Sequence, residues 1–368
     1  MKTIHTQLIL ASILIIFQIG CTPRPTPGIS VQYPDSKTVR TSPTSTQNYE
    51  NSISPGNLTP DQISTLSSLE KVDDYPLYTM QHQGSYTQED TVDLEVDENT
   101  INLVVDMKVA DWACSLFAAL GDDQEFKFGR NFDWEYSPAL LLFTNPPDGY
   151  ASVSMVDIAY LGFEVQDFDK LHELELVELA PLLDAPNWPF DGMNEAGLAI
   201  GMAAVPSAQM NPDPEKSSLG SLEIMRRILD DAANVHEAVS IMESYNIDFR
   251  MGPDLHYLIA DQSGEAILVE FFEGEMHIIP NDNPWHLATN FLTSSMNSTQ
   301  GQCARYDKIS DTMLETGGNL SPLSASELLS SVSQNNTQWS MVYNLQSGII
   351  QVTMDRQFDQ THKFQLIP

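Results

Sequence analysis

The sequence predicts an α+β domain, packed sheets covered by helices, on three observations. Short apolar runs bounded by turn residues recur along the chain, two neighbouring segments carry apolar residues at helical spacing, and strand signals return after that helical block. The apolar run Cys114 to Leu120, closed by Gly121-Asp122-Asp123 and followed by the alternating Glu125 to Phe128, reads as strand, turn, strand. Ser221 to Ala232 places Leu222, Met225, Ile228 and Leu229 on one helical face, and Val235 to Tyr245 repeats the pattern with Val235, Val239 and Met242. His256 to Ala260 and Ala266 to Phe271 form a hairpin about the turn Asp261 to Gly264, and Trp339 to Tyr343 and Ile349 to Val352 are the last strands. Ahead of Cys114, a short helix is expected over Asp61 to Lys71, then extended sequence through Tyr75 to Met80.

Charge excludes one class of partner. The 368 residues carry 51 Asp+Glu against 17 Lys+Arg, a formal net charge of −34 that repels nucleic-acid phosphates. At 42% hydrophobic residues the chain has enough apolar side chains for a sizeable core.

The first residues read as a leader. Lys2 precedes the apolar run Leu8 to Phe17, which has the length of a signal-peptide core and is short for a membrane span. Ile19-Gly20-Cys21 resembles the lipobox of bacterial lipoproteins, with Gln18 where that pattern favours Leu; the resemblance implies lipidation of Cys21. Beyond it, to about residue 57, Pro, Ser, Thr, Gln and Asn dominate, too polar to offset the entropy of ordering. The expected organisation is a signal peptide over 1–20, a lipidated cysteine and flexible tether over 21–57, a propeptide or N-terminal subunit over 58–113, and a catalytic domain over 114–368. The expected location is extracytoplasmic and membrane-tethered in the bacterial cell envelope.

The chemistry centres on Cys114. The chain has three cysteines, Cys21, Cys114 and Cys303, whose spacing matches neither a zinc site nor a disulfide framework. Arg130 and Asp133, in Gly129-Arg130-Asn131-Phe132-Asp133-Trp134, follow Cys114 by 16 and 19 residues, where antiparallel pairing returns both to the start of the first strand. A cation beside a thiol stabilises the thiolate, so Arg130 has a purpose there; no histidine is tied to the site as a base by local sequence.

At this point the chain resembles the N-terminal nucleophile hydrolases of the linear-amide group, which include penicillin V acylases, bile salt hydrolases and acid ceramidase-like amidases. The resemblance runs from about Cys114 to Met354, in motifs more than in continuous identity. It implies a four-layer αββα sandwich and cleavage of the Ala113–Cys114 bond, which frees an α-amine to act as base for the cysteine's own thiol. Such an amine titrates at about 7.7–8.0, near the range where general-base catalysis works best. By the same resemblance Cys114 is the nucleophile, and Arg130 and Asp133 lie beside it, with Asp133 orienting the new amine. Asn290, in Ala288-Thr289-Asn290, is the oxyanion-stabilising asparagine, and Arg305 is a second arginine near the nucleophile.

Gly192 to Leu198, reading GMNEAGL, resembles the family's Asn-Glu-x-Gly-Leu turn, with Asn194 as a turn residue, and Leu255 to Phe271 resembles the hairpin before the asparagine. After that turn several relatives carry a polar side chain where this chain reads Met202-Ala203-Ala204-Val205, so a second oxyanion donor is expected from a backbone N–H near Ala204. Because 113 residues precede Cys114, activity requires internal autoproteolysis.

The implied reaction is hydrolysis of a linear non-peptide amide through a thioester, without a cofactor, on a small-molecule N-acyl substrate. An acyltransferase of the same fold and a catalytically inactive ligand-binding lipoprotein are the alternatives. Trp134, Leu141 and Phe143 are expected to line an apolar acyl pocket, or to be core. Cys303 is expected to be an unpaired bystander. His256, His277 and His286 leave a papain-like Cys/His site open, and no metal site is expected, since His172-Glu173 and His236-Glu237 lack a second histidine.

Overall fold

A computed structural model describes residues 58–86, 113–121, 125–250 and 252–366; the expectations for residues 1–57, the leader, Cys21 and the tether, lie outside the described residues. Helix α1 (Pro60–Ser67) starts where Thr59 and Gln62 satisfy each other's backbone N–H groups in a capping box, with Pro60 in the first turn. It stops short of the expected Lys71 because the chain leaves to form β1 (Glu70–Asp73), which pairs with β2 (Leu77–Gln81).

Next come β3 (Ala113–Ala119), β4 (Lys127–Asp133), β5 (Ala139–Thr144), β6 (Ser152–Asp157), β7 (Asp191–Asn194), β8 (Ala199–Ala204) and β9 (Ser218–Gly220). The helical block is α2 (Glu223–Asp231) and α3 (Val235–Glu243), followed by β10 (Asn246–Asp248), β11 (Leu255–Ala260), β12 (Ala266–Phe272), β13 (Glu275–Pro280) and β14 (Trp285–Ala288). A second helical pair, α4 (Ala304–Thr316) and α5 (Pro322–Val332), precedes β15 (Thr337–Asn344), β16 (Ile349–Met354) and β17 (His362–Gln365).

Two sheets result. One has nine strands in the order β1-β2-β5-β6-β7-β8-β11-β12-β13, and the other six in the order β14-β3-β4-β15-β16-β17; β9 and β10 form a small parallel ribbon. Strand β3 shows how the layers stack, because successive side chains of a strand face opposite ways. Cys114, Leu116 and Ala118 enter the core between the sheets, whereas Phe117 and Ala119 pack outward with Ile309 and Met313 of α4 and Leu328 and Leu329 of α5. On the nine-stranded sheet, α2 and α3 bring Ile224, Ile228, Leu229, Val235 and Met242 into the core, and α1 buries Leu66 with Tyr78, Met80, Leu140 and Leu142. The order helix, sheet, sheet, helix is the four-layer αββα sandwich.

Residues 58–86 are built into both sheets. Strand β2 runs parallel to β5 from Leu77 opposite Ala139 to Gln81 opposite Phe143, and the buried Tyr78 hydroxyl donates to the Phe168 carbonyl at 2.8 Å. On the six-stranded sheet, Tyr75 donates to Gln338 of β15 at 2.8 Å, and His362 of β17 sits 2.6 Å from Asp73. Tyr86 donates to Asp230 of α2 at 2.7 Å.

The hairpin that carries Arg130 depends on a glycine. A Cβ at Gly129 would fall 2.2 Å from Cζ of the buried Phe117 ring. Gly129→Ala should therefore overpack the β3/β4 face and cost about 1–3 kcal/mol, read as a lower urea midpoint at unchanged slope.

Candidate active site

The β3/β4 hairpin sets the geometry. Ala113 pairs with Asp133, Cys114 with Phe132 and Leu116 with Arg130, so the strand returns its arginine and aspartate to the start of β3 as its spacing predicts. Arg130 Nη2 lies 3.9 Å from Cys114 Sγ, while Nη1 donates to the Phe190 carbonyl at 2.7 Å and pairs with Asp191 at 2.5 Å. Both members of that ion pair are fully buried. Asp191 also accepts from Trp339 Nε1 at 3.5 Å and from the Tyr343 hydroxyl. Sequence reasoning missed Asp191; its signal was a lone carboxylate directly before the GMNEAGL turn, at the head of a strand that faces β4 from the other sheet.

Asn290 and Arg305 reach Cys114 through its backbone. Asn290 Oδ1 accepts from the Cys114 N–H at 2.7 Å and from Arg305 Nη2 at 2.9 Å. Asn290 Nδ2 donates to the Ala204 carbonyl at 2.7 Å. Two donors on Oδ1 fix the orientation of the amide, since a flip would set Nδ2 against two N–H groups. Arg305, entering from the first turn of α4, donates to the Cys114 carbonyl and, at 2.9 Å, to Ser115 Oγ, and its Nη1 lies 3.8 Å from Asp133 Oδ2.

Burial governs the ionisation of the site. Cys114 is 4% exposed, and burial pushes its thiol up; the Arg130 cation works against this, the Asp133 charge adds to it, and the Asp133 N–H works against it. Burial also pushes Asp133 up to about 7, against the opposing pull of Arg305, of its Thr337 hydrogen bond and of Arg130. Among the described residues, Asp133 Oδ2 has no hydrogen-bond partner, and it stands beside the Ala113–Cys114 bond.

The remaining expected residues are placed as follows. Ala204 meets Asn290 through its carbonyl oxygen, which accepts from Asn290 Nδ2. Asn194 ties the β7–β8 turn to the end of α2: its Nδ2 donates to the Leu229 and Ala232 carbonyls at 3.1 and 2.7 Å, and its Oδ1 accepts from the Leu198 N–H. Leu141 is fully buried core rather than an acyl-pocket wall, and Phe143 lies at the far end of β5, its ring 6.5 Å from Phe364. Trp134 is close to the site, 6.1 Å ring to ring from Phe132, the cross-strand partner of Cys114.

Phe132 opens an aromatic group that the sequence reading did not assemble. Its ring stacks on Trp339 at 4.1 Å and meets Phe190 edge-on at 5.3 Å, and Phe190 touches the half-buried Tyr160 and, through it, Trp188. The papain-like alternative finds no geometry: His256 faces Glu270, and His277 and His286 bond the Phe272 and Ile279 carbonyls at 3.0 and 2.9 Å. Cys303 is disulfide-bonded, with its partner outside the described residues, and so is not the unpaired bystander expected. Among the described residues no three His, Cys, Asp or Glu side chains gather as a metal site requires.

Comparison with known proteins bears on the fold and the family. The fold matches a conjugated bile acid hydrolase from Clostridium perfringens in two crystal structures of variant forms, each with a TM-score of 0.51; the first is 18% identical over 69% of this chain and 92% of that one. A penicillin V acylase from Agrobacterium tumefaciens matches at a TM-score of 0.44 and 17% identity, over 66% of this chain and 83% of that one. An uncharacterized protein of Paramecium bursaria Chlorella virus 1 is 30% identical over 132 residues, 33% of this chain and 47% of that protein, so the chain spans about half the length of this curated relative. The fold is that of the N-terminal nucleophile hydrolases. Residues 114–315 match the model of the linear amide C–N hydrolases, choloylglycine hydrolase family, and the chain belongs to that family.

Two measurements test the electrostatics. A carboxyl raised in the folded state favours folding at low pH, and that contribution is lost as pH rises from about 4 through about 7. Between pH 4 and pH 8 wild type should therefore lose more stability in urea than Asp133→Asn, by up to about 4 kcal/mol. Arg130→Ala removes the cation that opposes the raised thiol, so iodoacetamide should alkylate Cys114 at least about tenfold more slowly at pH 8, with the rate profile displaced to higher pH.

Proposed function

We propose that this chain hydrolyses a linear, non-peptide N-acyl amide with Cys114 as an N-terminal nucleophile, exposed by cleavage of the Ala113–Cys114 bond. One observation carries the reading: the Cys114 backbone nitrogen is held at 2.7 Å by Asn290 Oδ1, with Asp133, whose Oδ2 accepts no hydrogen bond among the described residues and faces Arg305 at 3.8 Å, on the neighbouring strand. Cleavage turns that nitrogen into an amine without moving it. The amine takes the thiol proton, Arg130 steadies the thiolate, and the thiolate attacks the amide carbonyl. The second N–H of Asn290 Nδ2 serves the oxyanion in this reading. The amine product leaves after protonation, and water hydrolyses the thioester.

The aromatic group from Phe132 through Phe190 to Tyr160 and Trp188 supports an apolar acyl group. Residues 58–86 are read as a subunit that stays bound after cleavage, because β2 supplies a buried strand to the nine-stranded sheet.

The envelope location rests on the leader and Cys21. With three cysteines and Cys114 free, a Cys303 disulfide formed within one chain leaves no thiol for a lipid on Cys21, so the anchor and that disulfide are alternative fates. The mass of the membrane-extracted protein, with and without reductant, separates them.

The decisive test is the intact mass and N-terminal sequence of the purified chain. A fragment beginning at Cys114, absent from Cys114→Ala, is expected, together with turnover of fatty-acyl amides that Cys114→Ala lacks. The shorter fragment should co-elute with the longer one until denaturant is added. A folded chain that stays whole, and a chain starting at Cys114, co-expressed with residues 58–113 as a separate polypeptide, that turns over no amide, would instead favour the inactive binding-protein reading.

A further inference from the structure

The residue that cradles the Cys114 nitrogen, Asn290, lies on no regular element. It follows β14 in a stretch of bends and turns that runs to α4. Its side chain bridges the two sheets, from Cys114 on β3 to the Ala204 carbonyl on β8. Such a residue needs its backbone held from another direction, because side-chain hydrogen bonds alone leave a loop free to shift.

That hold comes from β12. Glu270, whose side chain is fully buried, accepts from the Thr293 N–H at 2.8 Å and the Thr293 hydroxyl at 3.1 Å on one oxygen, and from the Ser294 N–H at 2.7 Å on the other. His256, the cross-strand neighbour of Glu270 in the β11/β12 register and equally buried, places Nδ1 3.4 Å from Oε1. Burial alone would push the Glu270 carboxyl up, but His256 and the Ser294 N–H outweigh it and hold it down at about 2.

We propose that Glu270, oriented by His256, is a positioning residue that pins the 289–296 loop and thereby sets Asn290 against the Cys114 nitrogen. Two oxygens holding two consecutive backbone N–H groups fix both the height and the rotation of the loop three residues beyond Asn290. Neither Glu270 nor His256 is given a contact with the reacting atoms; their effect passes through Asn290. The functional half of this inference rests on the amidase reading above, whereas the loop-pinning half does not.

The test compares wild type with Glu270→Gln, which keeps size but sets an NH2 group against one of the two backbone donors. Hydrogen exchange followed by mass spectrometry should show faster exchange confined to 289–296. With a fatty-acyl p-nitroanilide as probe, kcat should fall about 10–100-fold, the cost of a small misplacement, while KM stays within about twofold. In an Asn290→Ala background the same substitution should change kcat by less than about twofold, because its route is already removed.

Unchanged exchange at 289–296, or an equal loss of kcat in both backgrounds, overturns the proposal. If Glu270→Gln does not fold, Thr293→Val removes one of the bonds from the loop side and should move exchange and kcat in the same directions, with no movement counting against the proposal. If wild type turns over no amide, the amidase reading fails and the exchange result alone upholds or overturns the pinning.

Discussion

The ion pair between Arg130 and Asp191 is the contact on which the site depends. It joins β4 of one sheet to β7 of the other with both side chains fully buried, and leaving either charge alone there would cost several kcal/mol. Asp191 is further fixed by Trp339 and Tyr343, both on β15 beside β4. The pair therefore sets the relative placement of the sheets at one point, and from that point the guanidinium reaches the thiol. Phe132, beneath the same guanidinium at 4.7 Å, adds a ring face that favours the cation and makes a substituted lysine a poor equivalent.

Cys114 is reached from several layers at once. Arg130 comes along its own sheet, Asn290 from the loop after the neighbouring β14 while bonded across the gap to Ala204, and Arg305 inward from α4. None of these groups has a flexible approach: each belongs to an element whose apolar face is buried, or to a loop held by a buried carboxylate. On the proposed reading, rigidity of this kind is what Cys114 requires, since its base would be its own backbone nitrogen, held at one distance.

Local pattern made the β3/β4 hairpin legible and long-range pairing hid the rest. The apolar run after Cys114, the turn at Gly121 and the alternation of Glu125 to Phe128 are periodicity signals, and with them came Arg130 and Asp133 at the right register. The α2/α3 block was legible for the same reason. Helices α4 and α5 were not: the inward residues of α4 are Arg305, Ile309 and Met313, a stripe one residue wide that opens with an arginine. Asp191 and the aromatic group were invisible because they meet β4 only once two sheets are stacked, a contact that no spacing along the chain encodes. The orientation of the Asn290 amide, with oxygen rather than nitrogen toward Cys114, follows from its neighbours and not from its identity.

The raised carboxyl of Asp133 makes sense of the order of events on the proposed reading. In the uncut chain the nitrogen beside it is a neutral peptide N–H, burial dominates, and the carboxyl titrates at about 7. Once that nitrogen is an amine that can carry a charge, a positive neighbour favours the carboxylate and the carboxylate favours the ammonium, so each raises the population of the other's ionised form. The thiol then faces two cations, the ammonium and Arg130, in place of one, and the burial that pushed it up is opposed more strongly. On that reading the same buried geometry holds a less readily ionised cysteine before cleavage and a more readily ionised one after it.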